Sequence, residues 1–152
     1  MVKATIIPGV SSAMAAAAAA VVPLTARGVS SSVVFLSGHN LDKLVVPKAE
    51  TLVFFMGADN QRTLSEKLIG EGWNPYTPVA IVREASKPEQ EIRRYTLKSL
   101  AMDDNPLPSP LIIIVGNSAA EHGESSPRRW LFTGLNVSDF KANGVCVHSP
   151  MI

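Results

Sequence analysis

The stretch Ile-Ile-Pro-Gly-Val-Ser-Ser-Ala-Met, six alanines and Val-Val-Pro-Leu-Thr-Ala-Arg-Gly, residues 6–28, determines how this chain is interpreted. A Pro-Gly turn follows a short apolar segment and leads into an alanine-rich helix, predicted over residues 11–20 and ending before Pro23. Small side chains let another backbone or a flat ligand approach this helix closely. Ser11 and Ser12 stand at its start, where hydroxyl groups and free N–H groups are able to hold a ligand. A tightly packed structural helix fits the same residues, so both interpretations stay open here.

Short apolar runs on either side of this helix predict an alternation of strands and helices. The run at residues 32–36 is predicted to be a buried strand, and the alternating run at 91–96 a half-exposed strand near a sheet edge. Residues 40–50 read as a polar connection. The alternation predicts an α/β fold, a mixed sheet of about five strands with helices on its faces. The predicted elements are strands at 4–7, 32–36, 51–56, 78–83, 91–96 and 111–115, and helices at 11–20, 60–69 (Leu64 and Leu68 on one face) and 99–103.

Composition limits the classes of function. Of 152 residues, 46% are hydrophobic and 18% charged, which is apolar for a free-standing domain and indicates surface covered by a second domain or a subunit. The net charge of +1 offers no electrostatic basis for a nucleic-acid partner. The single cysteine, Cys146, leaves no internal disulfide and fits a reducing compartment.

The alanine run also resembles the apolar part of a signal peptide, but Pro8-Gly9 interrupts the approach to it. The run is shorter than the about 20 residues needed to cross a bilayer. We therefore expect a cytoplasmic protein without a membrane partner.

The chemistry-bearing residues lie at strand ends rather than in a metal or nucleotide motif. The chain has no P-loop, no G-x-G-x-x-G and no metal-spaced Cys/His cluster, so we expect no metal site. In open α/β sheets ligands gather outside the carboxyl ends of strands. Met56 follows one such strand, where its polarizable sulfur suits an adenine or a thioether, although core filling fits it equally. Arg27 lies on the loop leaving the alanine-rich helix and suits a carboxylate, with a solvated surface arginine as the alternative.

Six blocks of sequence together resemble the C-terminal half of the uroporphyrinogen-III C-methyltransferases, members of the tetrapyrrole methylases. The resemblance covers residues 4–116. The blocks are Ile-Pro-Gly-Val-Ser-Ser-Ala (7–13), Pro-Leu-Thr-Ala-Arg-Gly (23–28), Ser-Val-Val-Phe-Leu-Ser-Gly-His (32–39), Thr-Leu-Val-Phe-Phe-Met-Gly (51–57), Thr-Pro-Val-Ala-Ile-Val (77–82) and Ser-Pro-Leu-Ile-Ile-Ile-Val-Gly (109–116).

The resemblance implies a homodimeric two-domain α/β enzyme that binds S-adenosylmethionine in the cleft between its domains and releases S-adenosylhomocysteine. Its tetrapyrrole substrate carries eight acidic side chains, and its product is precorrin-2, on the route to siroheme and cobalamin. By position, Arg27 is the residue that meets a substrate carboxylate, and no catalytic residue falls on this chain. The residues implied to contact the cofactor are Ser11, Ser12, Met56, Ala85 and Leu111.

The departures from the family bear on substrate and completeness. Ala26 stands where the family has histidine, and Ala85 where it often has glycine. The Gly-rich N-terminal half of the family is absent from these residues, so we expect residues 1–116 to be the C-terminal methylase domain and 117–152 a tail or junction. The expected function is that of one domain of the C-methyltransferase, inactive without its N-terminal half. A methylase of a later precorrin and a non-catalytic association module remain alternatives.

Overall fold

The computed structural model describes residues 8–120. The strand expected at residues 4–7, the Trp130-Leu131-Phe132 stretch and Cys146 lie outside the described residues. Two short 3-10 helices also occur, at Ala58–Asn60 and Asn117–Ala119. The longer elements of the described residues are α1 (Ser12–Ala19), β1 (Val33–Ser37), β2 (Thr51–Phe55), α2 (Gln61–Gly70), β3 (Pro78–Arg83), β4 (Glu91–Thr96), α3 (Leu97–Ala101) and β5 (Leu111–Gly116).

The five strands form one mixed sheet in the order β1-β2-β5-β3-β4. β1 runs parallel to β2, whereas β5 is antiparallel to both β2 and β3, and β4 is antiparallel to β3. Because β2 and β3 are both antiparallel to β5, and β1 is parallel to β2, the strands β1, β2 and β3 all run in the same direction. The predicted α/β fold with a mixed sheet of about five strands is confirmed, and β4 lies at a sheet edge as expected.

One face of the sheet carries the larger side chains of the core. Helix α2 buries Leu64 and Leu68, the two leucines predicted to share its inner face, and α3 adds Leu97 and Leu100. They pack on alternate residues of the central strands, each burial contributing roughly 1.5–3 kcal/mol. The packed strand residues include Leu52, Phe54, Val79, Ile81, Ile113 and Val115.

The opposite face is covered by α1, which follows its prediction within one residue at each end. Ala13, Ala16 and Ala17 are at most 8% exposed and pack on β3 and β5. Because their side chains are single methyl groups, the helix backbone lies close to the sheet. Its outward side is apolar as well, since Met14 is 48% exposed and Ala18 is exposed.

Three expectations need correction. β1 is not fully buried, because it is an edge strand and α1 packs chiefly on β3 and β5; Phe35 is 43% exposed. The connection at residues 40–50 is more than a polar linker, since Leu41 is buried in the core. Helix α3 begins two residues before its predicted start, because the hydroxyl of Thr96 accepts from the N–H of Ser99 in a capping box.

Candidate functional site

One edge of the sheet collects the ends of three parallel-running strands. β1, β2 and β3 finish there, and β5 begins there, since Arg83 pairs with Leu111. We call this the strand-end edge and define it as residues 37–39, 56–57, 84–86 and 110–111. Ligands of open α/β sheets bind outside such carboxyl ends. Three of the residues assigned to the cofactor by resemblance, Met56, Ala85 and Leu111, therefore share one edge.

Met56 is held in an unusual backbone conformation at this edge. Its φ is +54°, in the left-handed region that a residue with a Cβ seldom adopts, and its side chain is 65% exposed. The exposure excludes the core-filling interpretation of this methionine. Because backbone strain of this kind concentrates at binding sites, the strain and the exposure of Met56 together favour a ligand contact at this residue.

Hydrogen bonds hold the turn after β1 beside the end of β2 and the residues that follow it. The N–H of Gly38 donates to the carbonyl of Phe55 at 2.7 Å, and the side-chain amide of Asn60 donates to the carbonyls of Gly38 and His39 at 2.7 and 3.2 Å. This turn was predicted only as a strand end. Asn60 lies 21 residues after His39 in the chain, so the local sequence around the turn does not predict this contact.

The side chains of Ala85 and Leu111 are largely withdrawn from solvent. Leu111 is 7% exposed and belongs to the core, and Ala85 packs half-buried against the face that α1 covers. Within residues 8–120 the N–H and C=O of Ala85 have no hydrogen-bond partner. The two segments are joined because the N–H of Glu84 donates to the carbonyl of Pro110 at 3.1 Å.

Ser11 and Ser12 stand at the start of α1, as predicted. Ser11 is the N-cap, and its hydroxyl accepts from the N–H of Ala13 at 3.3 Å. Ser12 is exposed. The guanidinium of Arg94 binds the carbonyls of Ala20 and Ala119, the latter beyond the C-terminal end of β5. Because the last turn of α1 lies towards that far edge, its serine end is the one towards the strand-end edge.

Arg27 lies away from the strand-end edge. It is exposed on a tight hairpin in which Ala26 and Ser30 exchange backbone hydrogen bonds of 2.8 and 2.9 Å. Ser30 is buried and its hydroxyl lies 2.8 Å from that of Thr51, the first residue of β2. Met56 follows the other end of β2, about 17 Å away at the rise of an extended strand. The structure thus does not bring Arg27 together with Met56, Ala85 and Leu111.

The turn after β3, predicted as a strand end, also holds an ion pair that the sequence did not predict. Glu84 pairs with Lys87, with 2.6 Å between Oε2 and Nζ, and this carboxylate raises the pKa of Lys87. Glu84 and Ser86 both have positive φ, +50° and +69°. Glycine is the residue type that usually marks a left-handed position, and neither of these residues is a glycine. The sequence therefore does not predict the backbone conformation of this turn.

Two surface depressions in the described part of the chain lie away from the strand-end edge. One of about 260 Å³ lies between the start of α2 and residues 100–106, and a wider one of about 640 Å³ lies beside Glu50 and Trp73. Within residues 8–120 no group of three or more His, Cys, Asp or Glu side chains could hold a metal ion. In the same part of the chain no helix has the length and apolar character needed to cross a membrane.

The donor set of the strand-end edge fits a flat ring with a polar rim attached to a thioether. Free peptide groups at Ala85 suit the rim of the ring, exposed Met56 suits an apolar or sulfur contact, and the first turn of α1 offers N–H groups. The fold and the strand-end edge together define an α/β domain with an open sheet, of the class that binds ligands at the carboxyl ends of its strands.

Comparison with known proteins then identifies the family. The profile described as Tetrapyrrole (Corrin/Porphyrin) Methylases matches residues 1–101. The siroheme synthase of Psychrobacter arcticus is 38% identical over 126 residues, covering 77% of this chain and 23% of that protein. The siroheme synthase of Zymomonas mobilis is 34% identical over 145 residues, covering 91% and 30%. The chain belongs to the tetrapyrrole methylases.

Solved structures agree with this assignment. Uroporphyrin III C-methyl transferase from Thermus thermophilus, complexed with S-adenyl homocysteine, superposes with a TM-score of 0.65 at 25% identity, covering 75% of this chain and 50% of that one. A cobalt precorrin-4 methyltransferase superposes with a TM-score of 0.66 at 28% identity, covering 76% and 53%. The chain therefore spans about half the length of these methyltransferases and about a quarter of the siroheme synthases.

Proposed function

We propose that this chain supplies one wall of the S-adenosylmethionine site of a C-methyltransferase that converts uroporphyrinogen III to precorrin-2. The observation that carries the proposal is the shared strand-end edge of Met56, Ala85 and Leu111, with the serine end of α1 directed towards it. The similarity to a Thermus enzyme complexed with S-adenyl homocysteine supports the same cofactor class.

In this proposal the chain binds and orients, and the cofactor carries the reactive group. S-adenosylmethionine, when bound, supplies a methyl group made electrophilic by its positively charged sulfur. The chain's own contribution is positional: Ala85 and Leu111 offer backbone groups to the ring, and Ser11, Ser12 and Met56 border the rest of the molecule. Holding two reactants in line is itself a large part of the rate enhancement in such transfers.

Arg27 is proposed to bind a peripheral carboxylate of the macrocycle. A guanidinium pairs with carboxylates in a bidentate geometry, and the hairpin presents Arg27 to solvent. Because the hairpin is anchored a strand length from Met56, its carboxylate partner lies on the rim of the macrocycle, away from the carbon that receives the methyl group.

A second domain is proposed to supply the facing wall. The chain spans about half of the Thermus methyltransferase, and the outward side of α1 is apolar at Met14 and Ala18. A helix that is apolar on all sides is usually covered. We infer that this side of α1 packs against the second domain, in an enzyme that, by the same family resemblance, is a homodimer.

The test is a titration of the ¹⁵N-labelled chain with S-adenosylhomocysteine, followed by amide NMR shifts, which detect weak binding. The proposal expects the largest shifts at residues 11–12, 56–57, 85 and 111. Shifts confined to the depressions near α2 or Trp73, or no shifts at all, would contradict it. The chain alone is expected to leave uroporphyrinogen III unmethylated, and detectable methylation would refute the need for a second domain.

A later precorrin is the second candidate substrate. Ala26 replaces the family's histidine beside Arg27, and the TM-score with a cobalt precorrin-4 methyltransferase, 0.66, is as high as the 0.65 with the Thermus enzyme. Competition between uroporphyrin III and a later corrinoid for Arg27, measured by the NMR shift of its side-chain Nε–H, separates the two. A non-catalytic association module of the same fold would give no shift with S-adenosylhomocysteine.

A further inference from the structure

The turn that carries Ala85 is strained on both sides of that residue. Glu84 has a φ of +50° and Ser86 a φ of +69°. A left-handed conformation costs free energy in any residue with a Cβ, and it persists only where neighbouring contacts hold it. The contacts that hold this turn therefore decide where the peptide groups of Ala85 point.

Two side chains close the turn. The carboxylate of Glu84 lies 2.6 Å from the ammonium of Lys87. The backbone N–H of Lys87 also donates to the backbone carbonyl of Glu84 at 3.0 Å. The side-chain oxygen of Gln90 accepts from the N–H of Ser86 at 2.9 Å, and the N–H of Gln90 donates to the carbonyl of Lys87 at 3.1 Å. Glu84 and Gln90 thus fix the residues on either side of Ala85.

The closed turn is also tied to the start of β5. The N–H of Glu84 donates to the carbonyl of Pro110, directly before Leu111. The Ala85 side chain packs towards α1, and its N–H and C=O have no partner within residues 8–120. A peptide with a free donor and a free acceptor matches the edge of adenine, where an amino group adjoins a ring nitrogen.

We propose that Glu84 and Gln90 are positioning residues for adenine recognition: they hold the peptide groups of Ala85 so that these hydrogen-bond the amino edge of the cofactor's ring. This inference rests on the proposed S-adenosylmethionine site and adds the residues that determine its selectivity. Neither side chain needs to touch the cofactor.

The experiment compares two ligands across matched variants. S-adenosylhomocysteine and S-inosylhomocysteine differ at the ring amino group, which is a carbonyl oxygen in the second. The variants are Glu84→Gln, which removes the ion pair, and Gln90→Met, which removes the acceptor at similar size. Glu71→Gln is the matched control, because it removes the 2.8 Å ion pair with Lys67 on α2, away from the strand-end edge. Dissociation constants are measured by NMR titration, with thermal unfolding of each variant.

We expect Glu84→Gln and Gln90→Met each to weaken S-adenosylhomocysteine binding about fivefold, the size of one lost hydrogen bond. Binding of S-inosylhomocysteine should not change, and Glu71→Gln should change neither ligand. Equal weakening of both ligands, or no weakening, overturns the inference while the proposed function stands. If Glu84→Gln fails to fold, Gln90→Met alone decides. If the unaltered chain binds neither ligand, the proposed function fails and this inference with it.

Discussion

Gly38 and Gly57 approach each other so closely that a Cβ built on Gly38 would lie 2.9 Å from the Cα of Gly57. This contact packs the turn after β1 against the turn after β2. A side chain at position 38 would have to displace the backbone of Gly57.

Gly38→Ala is expected to destabilise the domain by about 1–3 kcal/mol, because the added methyl group meets backbone atoms that cannot rotate away. Gly70→Ala, at the end of α2, is the control, since a Cβ there meets nothing within 4 Å. It should be neutral or stabilising by up to about 1 kcal/mol. Urea unfolding of the two variants measures both effects; equal stabilities would show that the β1 turn is free to move.

A buried chain of hydroxyl groups anchors the hairpin of Arg27. The hydroxyl of Thr51 lies 2.8 Å from that of Ser30 and 3.1 Å from that of Ser118, and all three residues are at most 3% exposed. Thr51→Val keeps the shape and removes the shared partner, so the free energy of unfolding should fall by about 1–3 kcal/mol. Thr63→Val, exposed on α2, should change it by less than about 0.5 kcal/mol. A Thr51→Val variant as stable as the unaltered chain contradicts this account of the anchor.

The strands could be predicted from the sequence because their apolar runs are bounded by turn residues. Residues 52–55 and 111–115 are continuous apolar segments with a glycine directly after them or one residue further on, and both belong to strands in the fold. The positions of the strand ends could therefore be predicted, and their role as a cofactor site stays a prediction. The alanines of α1 likewise predicted a close packing that the structure confirms.

The conformation of the turns could not be predicted from the sequence. The backbone is left-handed at Met56 and Glu84, and neither residue type favours that conformation. The position of Arg27 depends on the bond between Ser30 and Thr51, which are 21 residues apart. Local patterns carry no information about such a contact, so the separation of Arg27 from the strand-end edge could not be predicted.

Stability in acid should depend on Asp103. The N–H of Asn105 and then the hydroxyl of Tyr95, 2.7 Å from Oδ2, lower the pKa of Asp103 below its usual 3.8. Because the folded-state pKa is lower than that of the unfolded chain, this stabilisation is present above about pH 4. It is lost as the pH falls through the folded value.

Asp103→Asn should therefore unfold more easily than the unaltered chain at pH 7, and the difference should shrink below about pH 4. Asp104→Asn is the control, since that side chain is 94% exposed. Urea unfolding between about pH 3 and about pH 7, from about one unit below the ordinary carboxyl pKa to about three units above it, measures the difference. A difference between Asp103→Asn and the unaltered chain that stays constant with pH rules out the carboxylate as its source.

Met56 should show opposite effects on stability and on binding. Its φ of +54° is costly for methionine, by about 1–2 kcal/mol, and costs glycine nothing. Little burial is lost on truncation because the side chain is 65% exposed. After the greater chain entropy of glycine is subtracted, Met56→Gly should stabilise the domain by about 0.5–1 kcal/mol.

Met102→Gly is the matched control for this change. Met102 is equally exposed, at 66%, but its φ is −103°, so glycine relieves no strain there and should destabilise by about 0.5–1 kcal/mol. The proposed site adds that Met56→Gly, though more stable, binds S-adenosylhomocysteine less tightly, whereas Met102→Gly binds it unchanged. If Met56→Gly is more stable and binds S-adenosylhomocysteine with unchanged affinity, the backbone strain at Met56 is unrelated to this cofactor. Met56 is then not part of the proposed cofactor site.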